Sequence, residues 1–415
     1  MRLPAFSLLL PALLLASCGT QREAPALAVA PSQLLTVNVT PSQSDADLTA
    51  RYGGHVVLRT STFAVIGDPK VGLSAQGLKD NKAQPNRGVM KATAGQRLWG
   101  SGQTTIWANG QVPIWAESAT PSWDNGVYNG LPANTALWKS IGLDRAYQQA
   151  QHLGLSTTIA VIDSGVDVAH PMLHARLSDP ITWRDFVDGD TLPQEVGEAG
   201  RGEYGHGTVV AGIAAQIAPN AHLMPLRVLS EDGSGDVLNV ASAIVWAADH
   251  GADVINLSLG ASEPVQAVSS AIEYANQAGV LVVAAAGNTG QNALDYPASS
   301  FKSDSLNVSV GSVNAVQQHS AFSAYAPSLQ LNAPGELVSG PYPGNRAAKW
   351  TGTSMSAPIV AGALALGLGE DRTPQGVVGQ LRTSAASIDA VYGNEAYVGQ
   401  LGHGILDLGA YTNLP

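Results

Sequence analysis

Charge is scarce in this chain. Asp, Glu, Lys and Arg make up 13% of its 415 residues, about half the share of an average soluble domain. The net charge is −11 and no cluster of Lys or Arg occurs, which excludes a nucleic-acid partner held by its phosphates. Cysteine is nearly absent: Cys18 is the single one, so no internal disulfide can form. Beyond the N-terminal segment no apolar run is long enough to span a bilayer. What is abundant is small and apolar. With 45% hydrophobic residues and 45 glycines, the chain can fill the core of one large domain and carry an accessory one. A monomer is expected.

The N-terminus, "MRLPAFSLLLPALLLASCGT", sets Arg2 before an apolar stretch of signal-peptide length. Its end, Leu15-Ala16-Ser17-Cys18, resembles the bacterial lipobox, in which the cysteine is acylated and becomes the new N-terminus. The expectation is a signal over 1–17 and a membrane anchor on Cys18, at the cell envelope or released from it after processing. The plainer alternative is an ordinary signal peptide with a chance cysteine. Residues 18–33 are rich in Pro and Ala and read as a tether.

Residues 34–95 predict a small α+β unit in β-α-β-β order: "LLTVNVT", a helix capped by Ser44 or Asp45, "GHVVLRT" and "FAVIG". Over 96–134, Trp99, Trp107, Trp115 and Trp123 recur at a spacing of eight. Either these rings form a binding platform or they pack a linker onto its neighbour. From 135 to 415 strand and helix alternate: "TTIAVID", "TVVAGIAAQ", "DVINLSL", "VQAVSSAIEYANQAG", "VLVVAAAGN", "LNVSVGSV" and "SMSAPIVAGALALGL". Nearly continuous Val, Ile and Ala strands separated by helices predict an α/β fold, a mainly parallel sheet covered on both faces.

In such sheets the working groups gather where strands end and helices begin. Asp163 ends "IAVID", His206 lies bare between two glycines before a helix, and Ser354 opens the longest apolar helix. Acid, base and nucleophile are the set that acyl transfer requires, because a serine hydroxyl attacks only when a histidine takes its proton and a carboxylate steadies the imidazole. A helix N-terminus at Ser354 would aim backbone N–H groups at the developing oxyanion, and the amide of Asn288, at the end of "VVAAAGN", is a further donor. Each residue alone has a plainer reading, as helix cap, turn former or loop residue. Their joint occurrence does not.

Together "IAVIDSGVD", "GHGT", "INLSLG", "VVAAAGN" and "GTSMSAP" resemble the subtilisin-type serine peptidases, as does "GHGILDLGAY" near the C-terminus. The resemblance implies that Asp163 orients, His206 is general base and then acid, Ser354 attacks, and Asn288 completes an oxyanion hole. It implies that Ser258, Leu259 and Gly260 pair with an extended polypeptide substrate, and that Ala285, Ala286 and Gly287 wall a pocket. Small wall residues then leave room for a bulky apolar side chain. No cofactor is needed for the chemistry.

Where many members carry His, this chain has Val209 and Ile359; neither position carries the proton chemistry. The calcium-binding insertion of the best-known subtilisins is missing after His206. "DFVDGDTLPQ" resembles a calcium loop of the thermitase-like branch, with Asp185, Asp188, Asp190 and Gln194 as oxygen ligands for a structural Ca²⁺; a plain Asp-rich turn is the alternative. "ARYGGHVVLRTSTFAVIG" resembles a propeptide, which would make the protein self-processed. Two other classes of function stay open: a catalytically silent envelope binding protein on this scaffold, and a peptidase that cuts only itself or one cognate partner.

Overall fold

The computed structural model describes residues 30–70, 84–85, 123–124, 127–128, 132–199, 201, 203–302 and 306–413. The anchor expected at Cys18 and the units at Trp99, Trp107 and Trp115 lie outside them.

The N-terminal elements are β1 (Gln33–Asn38), α1 (Asp45–Tyr52), β2 (His55–Arg59), β3 (Phe63–Gly67) and β4 (Gln84–Pro85). They form an antiparallel sheet in the order β2-β3-β1-β4. Ser44 starts α1 through a reciprocal capping box with Asp47, the carboxylate accepting Ser44 N at 2.8 Å. Alternation then divides the strands between two cores. Leu35, Val37, Ala64 and Ile66 pack on Leu48 and Tyr52 of α1. Leu34, Phe63 and Val65 face the other way, into a core that belongs to the large domain.

A two-residue pair follows, β5 (Trp123–Asp124) with β6 (Val127–Tyr128). Then come α2 (Thr135–Ser140), α3 (Leu143–Gln149), β7 (Thr158–Asp163), β8 (Arg184–Asp185), α4 (His206–Ile217), β9 (His222–Arg227) and α5 (Val237–Asp249). The chain continues through β10 (Val254–Leu257), α6 (Gln266–Gln277), β11 (Leu281–Ala285), β12 (Asn307–Val313) and β13 (Leu331–Pro334). Last are the hairpin β14 (Val338–Tyr342) and β15 (Arg346–Trp350), α7 (Thr353–Gly369), α8 (Pro374–Ser384) and α9 (Leu408–Thr412).

Seven strands build a parallel sheet in the order β13-β12-β11-β10-β7-β9-β8. Its two faces are read directly from alternation. Ile159, Val161, Val254, Leu281 and Val283 turn to the core under α4 and α7, whereas Ala160, Ile162, Ile255, Val282 and Ala284 turn to the core under α5 and α6. This second core also receives Leu34, Phe63 and Val65, with the Phe63 ring edge-on to Tyr274 of α6 at 6.5 Å. The α+β unit thus adds a further layer on the α6 side of the sheet. Among the described residues no helix is long and apolar enough to cross a membrane.

Candidate active site

Strand β7 lies between β9 and β10, so the chain leaves it toward opposite sides of the sheet in turn. Such a reversal opens a crevice at the strands' C-terminal ends. Asp163 is the last residue of β7, His206 the first of α4 and Ser354 the second of α7. The glycines beside His206 serve the protein's own packing. Gly205 has φ +92°, and a Cβ on Gly207 would lie 2.1 Å from the Gly165 carbonyl oxygen. Only a bare backbone brings the start of α4 this close to the end of β7.

His206 Nδ1 and Asp163 Oδ1 are 2.7 Å apart, and both side chains are fully buried. Asp163 Oδ1 also accepts the Ser164 N–H at 2.7 Å. Burial pulls the imidazole's pKa down, but the charge of Asp163, its hydrogen bond and the charges of Glu203 and Glu195 outweigh that, and the net shift is upward. The ring packs edge-on to Trp350 at 5.5 Å, and its Nε2 has no hydrogen-bond partner. Ser354, also buried, donates instead to the Ser258 carbonyl at 3.3 Å.

Asn288 is oriented by α7. Its Oδ1 accepts from Thr353 N and from Thr353 Oγ1, each at 2.9 Å, which leaves Nδ2 buried and unpartnered. Native proteins rarely leave such a donor idle, and an oxyanion is the acceptor that suits it. The first-turn N–H groups of α7 have no acceptor within the helix either. Pro358 lies inside α7 and supplies no N–H to the carbonyl of Ser354 four residues earlier. Ser258 Oγ fills the gap at 2.7 Å. Leu259 and Gly260 continue the chain beyond β10, and Ala285, Ala286 and Gly287 run from the end of β11 toward Asn288, all buried. Val209 and Ile359 are fully buried in the core under α4 and α7.

Glu195 gives no signal of this role in the sequence, because it directly follows the Asp-rich stretch ending at Gln194 and nothing local ties it to Asp163 or His206. Its carboxylate is buried, accepting from Ser164 Oγ at 2.7 Å, Thr208 Oγ1 at 2.8 Å and Thr208 N at 3.1 Å. It therefore ties the residue after Asp163 to α4, two residues beyond His206. Burial pushes its pKa up to about 7 against those hydrogen bonds, helped by the charge of Asp163.

The four residues expected to hold calcium do not fit that ion. Arg227 Nη1 lies 2.7 Å from Asp185 Oδ2 and 2.6 Å from Asp188 Oδ2, so a guanidinium already stands where a cation would meet these two carboxylates. Asp185 Oδ1 accepts from the N–H groups of Val187 and Asp188, Asp190 caps Leu192 N, and Gln194 accepts from Val168 N. Among the described residues no three acidic, His or Cys side chains converge as a metal site. Arg227 comes from β9, too far along the chain for the loop alone to announce it.

Residues 154–403 match the model of the subtilase family, peptidase S8. The thermophilic serine proteinase of Bacillus sp. (strain AK1) is 40% identical over 218 residues, 50% of this chain and 51% of that protein. Thermitase of Thermoactinomyces vulgaris is 36% identical over 245 residues, 57% of this chain and 83% of thermitase. The chain thus spans about half the length of the first relative and most of the second. A cold-adapted subtilisin-like serine proteinase of known structure superposes with a TM-score of 0.55 at 32% identity, covering 64% of this chain and 96% of its own. With the family model covering more than half of the sequence and the strand order of the sheet as described, the chain belongs to the subtilase family of serine-type endopeptidases.

Proposed function

We propose that the protein is an exported serine endopeptidase that cleaves polypeptides through an acyl-enzyme on Ser354 and is made as a self-processing precursor. The observation that carries this reading is the buried Asp163–His206 pair, whose outer ring nitrogen has no partner while the neighbouring Asn288 Nδ2 is also idle.

The chemistry follows from these groups. The Ser354 hydroxyl turns from the Ser258 carbonyl to His206 Nε2, gives up its proton there, and forms a bond to the substrate's carbonyl carbon. The carbonyl electron pair moves onto oxygen, which the Asn288 amide and the Ser354 N–H receive. Protonated His206, steadied by Asp163, returns the proton to the departing amine, and the C–N bond breaks. Water then attacks the ester by the same route, releasing the acid and restoring Ser354.

Docking of the α+β unit on α6, through Phe63 against Tyr274, supports the precursor reading, as does burial of His206 and Ser354 in the intact chain. Export and a lipid on Cys18 rest on the N-terminal segment alone. The test is intact mass of residues 19–415 treated with a fluorophosphonate, beside Ser354→Ala. An adduct and a shortened chain in the wild type only are expected. No adduct on folded protein would favour the silent scaffold; self-cleavage without casein digestion would favour a peptidase devoted to itself or one partner.

A further inference from the structure

Helix α4, which His206 opens, begins without a local cap. Gly205 precedes it and has no side chain to accept the first-turn N–H groups. Residues from elsewhere take them. Gly207 N donates to Ser164 Oγ at 3.0 Å, and Thr208 N donates to Glu195 Oε2 at 3.1 Å. Ser164 Oγ in turn gives its hydrogen to Glu195 Oε1 at 2.7 Å. Thr208 Oγ1, which accepts Asp167 N at 2.9 Å, gives its own to Glu195 Oε2 at 2.8 Å. The direction of each hydroxyl is thus set by the backbone N–H that it accepts. Three donors converge on one buried carboxylate, a set that two ionised oxygens satisfy and an amide, with one oxygen and an NH₂, does not.

We infer that Glu195 is a positioning residue for the reaction: it sets the approach of His206 to Asp163 by clamping the residue after Asp163 to the two residues after His206. The inference rests on the endopeptidase reading and adds to it a group that acts through the neighbours of the catalytic pair. Ser164 leaves β7, Thr208 lies in the first turn of α4, and the one carboxylate spans both. Ser164 also supplies the N–H that Asp163 Oδ1 accepts at 2.7 Å, so the clamped residue is the one that orients the acid. Glycine on each side of His206 offers no side chain that could hold the start of the helix. Its place against β7 therefore depends on a group eleven residues upstream of the histidine. A negative charge there also suits the positive end of the helix dipole. Without the clamp the imidazole is free to shift, and a misplacement of about 1 Å costs on the order of 10² in rate.

The experiment follows phosphonylation of Ser354 by a fluorophosphonate at alkaline pH, in residues 19–415 and variants. All are first incubated with a trace of tagged wild-type enzyme, later removed, so that a slow variant is processed like the rest. The probe needs no knowledge of the preferred peptide. Its endpoint counts folded sites, and its rate per site reports how well Ser354 is activated. In Glu195→Gln the rate per site should fall about ten- to a hundredfold, the loss of hydrogen bonds to a charged group, while the endpoint stays at the wild-type value. Thr208→Val carries the same test should Glu195→Gln fail to fold, and Thr208→Ser, which keeps the hydroxyl, should stay near the wild type. In an Asp163→Asn background, where the pair is already broken, Glu195→Gln should change the rate by less than about threefold. A lowered endpoint with an unchanged rate per site would leave Glu195 a stabilising residue only. That result, or an equal factor in both backgrounds, overturns the inference and leaves the peptidase reading intact. A folded wild type that is never labelled overturns both.

Discussion

Ser258 and Ser354 are tied twice: Ser258 Oγ donates to the Ser354 carbonyl at 2.7 Å, and Ser354 Oγ donates to the Ser258 carbonyl at 3.3 Å. The first bond replaces the one that Pro358 cannot make. Ser258→Ala should therefore cost about 1–3 kcal/mol in urea unfolding, the penalty of an unsatisfied buried carbonyl. Adding Pro358→Ala restores an N–H within the helix, so the double variant should recover part of that loss. Equal loss in the single and double variants would show that the carbonyl was not the reason.

Asn288 presents an amide that is aimed by Thr353 and idle in the ground state. Asn288→Ala is expected to lower kcat by about 10²–10³ with little change in KM. Steady-state kinetics on one peptide separates the two constants. A loss confined to KM would make Asn288 a binding residue.

The upward shift of His206 fixes the acid side of the pH profile. Only the neutral ring can take the serine proton, so kcat/KM should rise with pH through a midpoint above the imidazole's ordinary 6.5. Asp163→Asn removes both the charge and the tautomer control; kcat should fall by about 10⁴, and the midpoint should move down.

Glu195 bears on stability. Folded, it keeps its proton up to about 7; its ordinary value is 4.5. Between these the native state binds more protons than the unfolded one, so stability falls as pH rises through that window. Glu195→Gln should flatten this slope, which is worth up to about 3 kcal/mol at 1.36 kcal/mol per pKa unit. Melting temperatures at pH 4.5 and 7.5 give the comparison.

At the Asp-rich loop, Arg227→Met strands the buried Asp185 and should cost about 3–5 kcal/mol. Asp188 is 59% exposed, and Asp188→Asn should cost less than about 1 kcal/mol. A chelator should leave the melting temperature where it is. A large drop on chelation would return the loop to calcium.

The candidate catalytic residues are legible as a set because each lies where a strand stops or a helix starts, and the motif around it is local. Ser44 announces α1 in the same way, by an acceptor three residues before its acidic partner. What the sequence hides is contact between distant segments. Glu195 reaches Ser164 and Thr208, Arg227 reaches Asp185, and Asp295 reaches Gly287 only after the chain has folded. The hairpin "VSGPY"/"RAAKW" escapes for another reason: Gly340 and Pro341 inside its first strand erase the alternation that marks a strand. Of the glycines beside His206, Gly207 makes room for the Gly165 carbonyl just past β7 and Gly205 for the Tyr342 ring, contacts that the sequence does not announce.

The sheet that places Phe63 against Tyr274 is joined to the large domain by the same polypeptide. While the chain is whole, the two surfaces meet at an effective concentration on the order of millimolar, whatever the abundance of the protein. One cut between residues 71 and 131 turns that encounter into an ordinary bimolecular one. Activation by such a cut would depend on dilution. Molecules crowded on a surface would stay occupied by fragments shed nearby, and molecules carried into open medium would lose them for good.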